Sequence, residues 1–181
     1  MATYRREVEF RRYAGLRSDA FAVATQALSD ETPIPFRLTS IDSRALRVWR
    51  KKWVPRYTGL SDVGEWNWDE LAPDYLRRPS TFHLAIWSRQ SLCGLAMGKP
   101  SGSRRRLSVE YLEGSPNIDH PLKGWILRIT LASATAYARA LGADTLRLSD
   151  PVPALIPRYL ASGFDLVFLG RAVRYCERRI R

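Results

Sequence analysis

The side chains that usually hold metals or act as strong nucleophiles are scarce in this sequence. Its histidines are His83 and His120, and its cysteines Cys93 and Cys176, all far apart. Neither pair has the close spacing that a zinc site needs, so a metal centre is not expected. The sequence also lacks HExxH, GxSxG, Walker A and GxGxxG runs, which removes the common zinc-protease, serine-hydrolase and nucleotide-loop chemistries. Carboxylates, phenols and cations remain. Glu110 and Glu113 sit in the run LSVEYLEG, whose apolar alternation reads as a strand. On a regular strand they have opposite parity. Val109, Tyr111 and Glu113 then share one face, and Ser108, Glu110 and Leu112 the other, so at most one carboxylate faces a given site. Trp49, Trp53, Tyr57, Trp66 and Trp68 lie close to Arg44, Arg47, Arg50, Lys51 and Lys52. Aromatics among cations can stack nucleobases, although most such rings are core or loop anchors.

The elements that must position these groups follow from periodicity. After LSVEYLEG comes a Pro-rich loop, SPNIDHPLKG, and then a helix from Trp125 to Leu141. Leu127, Leu131, Ala134, Ala138 and Leu141 fall on one helical face, and Gly142 stops the helix. DTLRLSD reads as a strand. A short helix starting near Ala154 tolerates Pro157 in its first turn and ends at Gly163. Phe164 to Leu169 forms another strand, and Ala172 to Arg181 a final edge strand with a basic end. Earlier in the chain, Thr81–Ser88 and Leu92–Lys99 form a hairpin joined by Arg89-Gln90-Ser91. Asp42 caps a basic amphipathic helix over Ser43–Trp53. Asn67 and Glu70 have capping-box spacing for a helix running to about Arg78. Near the N-terminus, Val8 and Phe10 suggest a short strand, and Ser18 or Asp19 caps a helix carrying Phe21, Ala24 and Leu28. The first strand of the main domain is placed at Pro35–Ile41, with Val8–Tyr13 as the alternative.

This order of elements, and the run Tyr159-Leu-Ala-Ser-Gly163-Phe164, resemble the GNAT superfamily of acyl-CoA-dependent N-acyltransferases. The resemblance implies an α/β fold with a mixed, mostly antiparallel central sheet flanked by helices. It divides the chain into an N-terminal extension, residues 1–35, and a GNAT-like acyltransferase domain, residues 36–181. It implies acetyl-CoA as acyl donor and a primary amine as acceptor. Such a transfer needs a neutral amine, fixed donors for the developing oxyanion and a proton for the departing thiolate. Tyr159 matches the family's proton-donating tyrosine, since a phenol stays protonated at neutral pH. Glu110 is the preferred general base. Val109, Tyr111, His120, Lys123, Gly124 and Trp125 would contact the cofactor. The family's pyrophosphate loop, Arg or Gln, two residues, Gly, one residue, then a small residue, is rewritten here. Asp119 or Pro121 stands where Arg or Gln is usual. Pro116 and Pro121 lack N–H groups, which leaves the N–H groups of Lys123, Gly124, Trp125 and Ile126 to hold phosphate at the helix start.

The chain of 181 residues carries a net charge of +11. Residues 1–60 hold twelve Lys/Arg and six Asp/Glu, residues 61–120 seven and eight, and residues 121–181 ten and four. Two basic ends flank a near-neutral middle, which attracts polyanions. An RNA-linked amine, such as an aminoacyl-tRNA, is therefore a reasonable acceptor. The alternative is a GNAT-like domain without transferase activity that binds nucleic acid or protein. A homodimer is compatible with the resemblance. No run is apolar enough for a membrane span and the N-terminus lacks a signal-peptide core, so the expected location is the cytoplasm.

Overall fold

The computed structural model describes residues 2–32, 34–59 and 64–180. Among these residues, seven strands form one sheet in the order β1-β2-β3-β4-β5-β7-β6. They are β1 (Arg37–Thr39), β2 (Phe82–Ser88), β3 (Ser91–Pro100), β4 (Arg106–Gly114), β5 (Thr145–Ser149), β6 (Asp165–Leu169) and β7 (Ala172–Arg179). β4 and β5 pair in parallel, and every other neighbouring pair is antiparallel. Helices α1 (Ala2–Leu28) and α4 (Ile126–Ala140) cover one face. Helices α2 (Ser43–Lys52) and α3 (Trp68–Leu76) cover the other. The short α5 (Ile156–Ala161) lies between β5 and β6 in the chain. No helix among the described residues is long and apolar enough to cross a membrane.

The segment expected to begin with a strand at Val8–Phe10 is instead one helix of 27 residues. Two alternating apolar residues cannot outweigh the longer stripe of Tyr13, Arg17, Ala20, Phe21, Ala24 and Leu28, all buried. Their spacing is helical, and an i,i+4 pair of Glu7 and Arg11 at 2.6 Å supports the exposed first turns. Ala20, Phe21 and Leu28 belong to the same apolar cluster as α4 and β2. This N-terminal segment therefore supplies core, and β1 follows within the expected Pro35–Ile41.

Asp42 caps α2, its carboxylate accepting from the Ala45 N–H at 2.8 Å. At α3 the capping box does not form, because the Asn67 side chain makes no capping bond. Turns close that end instead, with the Trp68 N–H on the Trp66 carbonyl and the Glu70 N–H on the Asn67 carbonyl. The buried face of α4 is wider than the predicted stripe. Ile126, Ile129, Thr130, Ser133 and Tyr137 join Leu131, Ala134 and Ala138, because the helix is wedged between the sheet and α1. The β2–β3 turn tightens to Arg89-Gln90, with Ser88 opposite Ser91 and Arg89 at φ 54°.

The last strand is not at an edge. β7 lies between β5 and β6, which leaves β6 outermost. The reason is visible in its side chains. Cys176 is fully buried, and Glu177 pairs with Arg147 of β5 at 3.0 Å. Arg178 turns inward, donating to the Ser162 carbonyl and the Thr135 hydroxyl with its guanidinium over Phe164. Its charge is anchored rather than displayed. Arg181 lies outside the described residues.

Candidate functional site

The central feature is an irregularity in β4. Met97 pairs with Tyr111, but the next residue, Gly98, pairs with Val109. Glu110 is therefore an extra residue, a β-bulge. The bulge needs a glycine opposite, since a Cβ on Gly98 would lie 2.2 Å from the Ser108 carbonyl oxygen. It also reverses the alternation. Leu107, Val109 and Leu112 all pack into the α1–α4 cluster, while Tyr111 packs into the α2–α3 cluster. Strict parity thus fails at Glu110. Both Glu110 and Glu113 turn towards the α2–α3 side, where their partners lie.

β4 and β5 stay paired only from Arg106–Thr145 to Val109–Leu148. β4 continues to Gly114, while β5 ends at Ser149 and the chain turns away at Asp150, φ 44°, before Pro151. Where the strands part, a cavity of about 1040 Å³ passes between the two faces of the sheet. Val109, Glu110, Tyr111, His120, Gly124 and Tyr159 line it. Lys123 and Trp125 do not. The Lys123 N–H is taken by the His120 carbonyl at 3.2 Å and the Trp125 N–H by the Leu122 carbonyl at 3.0 Å. The Trp125 ring lies under the Arg128 guanidinium. Two of the four expected phosphate donors are thus spent in turns. The Ile126 N–H stays without a helical acceptor, as do those of Leu127 and Arg128, since the first helical bond of α4 is Ile129 to Trp125.

Tyr159 is 4% exposed. Burial raises its pKa, and the nearby Val152 backbone acts in the opposite direction. The phenol is protonated at neutral pH. Glu110 is held by the Lys99 ammonium at 3.0 Å and by a hydrogen bond from the Tyr75 hydroxyl. Burial raises the Tyr75 pKa, with Glu110 adding to it, so Tyr75 is the donor in that bond. Glu113 is buried and accepts from the Trp68 indole at 2.6 Å and the Glu65 N–H at 2.9 Å. The Tyr57 hydroxyl and the Trp66 backbone lie near enough to favour its charged form. Burial raises its pKa, and these groups pull the other way. At the opposite end, buried His120 leaves Nδ1 without a partner among the described residues. Burial and nearby Lys123 lower its pKa. Among the described residues, no group of three His, Cys, Asp or Glu could hold a metal ion.

No family model matches the sequence, and no curated protein matches it either. Solved structures do match. The PaiA N-acetyltransferase of Thermoplasma acidophilum, in complex with coenzyme A, superposes with a TM-score of 0.58 at 16% identity, over 81% of this chain and 99% of that one. A GNAT-family acetyltransferase of Staphylococcus aureus gives 0.60 at 9% identity, over 81% and 100%. GCN5 of Tetrahymena gives 0.53 at 11% identity, over 82% and 97%. The chain has the GNAT fold. Of the catalytic and cofactor residues expected from the sequence, Val109, Glu110, Tyr111, His120, Gly124 and Tyr159 line the cavity of this GNAT fold. Sequence reasoning missed the wall formed by Tyr57, Glu65, Trp66, Tyr75 and Lys99. The cluster of Trp and Tyr between residues 49 and 68 was its signal. That cluster divides: Trp49, Trp53 and Trp68 are core, while Tyr57 and Trp66 line the cavity.

Proposed function

We propose that the protein transfers an acyl group from an acyl-CoA to an amine. The observation that carries this is one cavity with a protonated, buried Tyr159 and the Glu110 carboxylate on its walls. The residues present are compatible with an acyl-CoA. Between Glu110 and Gly114, the β4 edge that faces β5 has no strand beside it, so its backbone groups are available to an extended chain. The unpartnered Nδ1 of His120 and the first N–H groups of α4 suit an anion. When bound, acetyl-CoA supplies an activated acyl group. Glu110, steadied by Lys99 and Tyr75, takes the proton from the attacking amine. Glu113 does not serve as the base, because each of its oxygens already accepts a hydrogen bond, Oε1 from the Glu65 N–H and Oε2 from the Trp68 indole. Tyr159 gives its proton to the departing sulfur. Calorimetry with acetyl-CoA, together with a thiol-release assay on an amine panel, tests the reading. Absence of both heat and thiol release would overturn it.

A second reading rests on α2. Arg44, Arg47, Arg50, Lys51 and Lys52 are all exposed on this helix, although Arg50 is engaged bidentately by Asp69. This face suits a polyanion. Binding to tRNA should then weaken steeply with salt, and replacing Arg50, Lys51 and Lys52 with Ala should flatten that slope. No tRNA binding at low salt would remove this reading and, with it, the RNA-linked acceptor.

A further inference from the structure

The cavity has a wall whose charge opposes that of the whole chain. The protein carries +11, yet among the described residues Glu65, Glu110 and Glu113 line the half formed by β4, Tyr57 and residues 64–66, with Lys99 beside Glu110. The carboxylates are fixed in place. Glu113 is clamped by Trp68 and the Glu65 N–H, Glu110 by Tyr75 and Lys99, and Glu65 by the N–H groups of Thr58 and Gly59 at 2.7 and 2.8 Å. Fixed negative charge in a concave wall focuses its field on whatever enters.

The same half is aromatic. Trp66 meets Tyr111 edge to face at 5.1 Å, and Tyr75 meets Tyr111 edge to face at 6.0 Å. Trp66 keeps 38% of its surface exposed, unlike the tryptophans packed into the core. Ring faces attract cations, most strongly those of tryptophan. The cavity is also marked as a ligand site by His120, which is buried, lines it and leaves Nδ1 without a partner. Aromatic faces beside fixed carboxylates bind ammonium and repel phosphate, so this half does not suit the RNA-linked amine that overall charge suggests.

We infer that this half-cavity takes a small amine bearing a second positive charge. That charge rests against Trp66 and Tyr111 within the field of Glu65 and Glu113, while the reacting amine lies by Glu110. The inference rests on the acyltransferase reading for its reaction, but not for its binding. In the transfer, the amine nitrogen forms the new C–N bond, the C–S bond breaks with its electron pair going to sulfur, one amine proton goes to Glu110 and the Tyr159 proton to sulfur.

Calorimetry with 1,4-diaminobutane and with butylamine separates the two readings. The diamine should bind about tenfold tighter than the monoamine, a margin that a cation–ring contact with nearby carboxylates can supply. Trp66→Leu should reduce the diamine to the affinity of butylamine, and Trp66→Phe should restore part of the margin. Acetyl product measured with both amines should show the same order. Equal affinity for the two amines overturns the inference, as does an aminoacylated RNA hairpin accepted in preference to the diamine. Tight diamine binding without acetyl product supports the inference and overturns the acyltransferase reading. Acetyl transfer with no diamine preference does the reverse.

Discussion

The two ends of the cavity are built on opposite plans. At the end closed by α2 and α3, polar groups are spent on one another. Glu113 accepts from the Trp68 indole and the Glu65 N–H, and Glu65 closes on the Thr58 and Gly59 N–H groups. At the α4 end, His120 Nδ1 lacks a partner and the first N–H groups of the helix lack backbone acceptors. A saturated wall holds its shape and acts through its field and its ring faces. An unsaturated one keeps hydrogen-bonding capacity for a ligand, because buried polar atoms are costly until they are paired. The difference suits a site that recognises one molecule by fixed shape and charge and another by direct bonds.

The joint between the ends should be the most sensitive point. Tyr159→Phe removes one hydroxyl and keeps the packed ring, so the fold should persist. Acyl transfer should fall by roughly 10²-fold if protonation of sulfur limits the rate. Unchanged turnover, with circular dichroism intact, would reduce Tyr159 to a packing residue. The next effect is on the saturated wall. Glu113→Ala leaves the Trp68 indole and the Glu65 N–H without their acceptor. Stability should drop by about 2 kcal/mol, a typical cost for stranded buried donors, as read from urea unfolding. The pH slope gives a second measure. Because the Glu113 pKa is raised by burial, the native state binds its proton more tightly than the unfolded state does. The Glu113 contribution to stability therefore declines as pH rises from the ordinary carboxylate value through the raised one. The Ala variant should lose that part of the slope.

A smaller effect belongs to the loop before α4, the rim of the unsaturated end. Asp119 and Lys123 are both exposed there. Lys123→Ala should weaken acetyl-CoA binding, and Asp119→Arg should strengthen it, each by up to about a decade. Calorimetry that finds binding indifferent to both changes would place the pyrophosphate away from this loop.

What could be read ahead of the structure follows from the range of each interaction. The α2 cap, the three-stranded meander of β2, β3 and β4, and the helix before Gly142 depend on neighbours a few residues apart, and all were legible. The short run that precedes Gly163 and Phe164 likewise pointed to Tyr159, which lies on the cavity wall. The place of β7 was not, because it is decided by burial of Cys176 and pairing of Glu177 with a strand about 30 residues earlier. The bulge at Glu110 was hidden for a related reason. Its cause, the close approach of Gly98 to Ser108, lies on another strand, and without it strict alternation assigned Glu110 and Glu113 to opposite faces. Residues 2–28 misled through a local signal, since Val8 and Phe10 alternate while the deciding stripe begins at Tyr13.

The smallest effect probes the unsaturated end directly, through the proton on His120. In the free protein, burial and Lys123 keep its pKa below the ordinary 6.5, so the imidazole is neutral at pH 7. The unfolded chain then binds more protons as pH falls below 6.5, and the His120 contribution to stability is lost as pH falls through that window. A bound pyrophosphate reverses the balance, because a nearby anion favours the imidazolium. The complex should therefore take up protons, and acetyl-CoA affinity should rise as pH falls from 7.5 towards 6, by about threefold, the scale of a half-unit shift. Calorimetry in buffers of differing ionisation enthalpy reads the proton uptake without any need for turnover. His120→Gln keeps a polar side chain but cannot titrate, so both the uptake and the pH slope should vanish. An unchanged slope in that variant would mean that the spare nitrogen of His120 does not face the phosphates, and that the two ends of the cavity differ for a reason other than ligand binding.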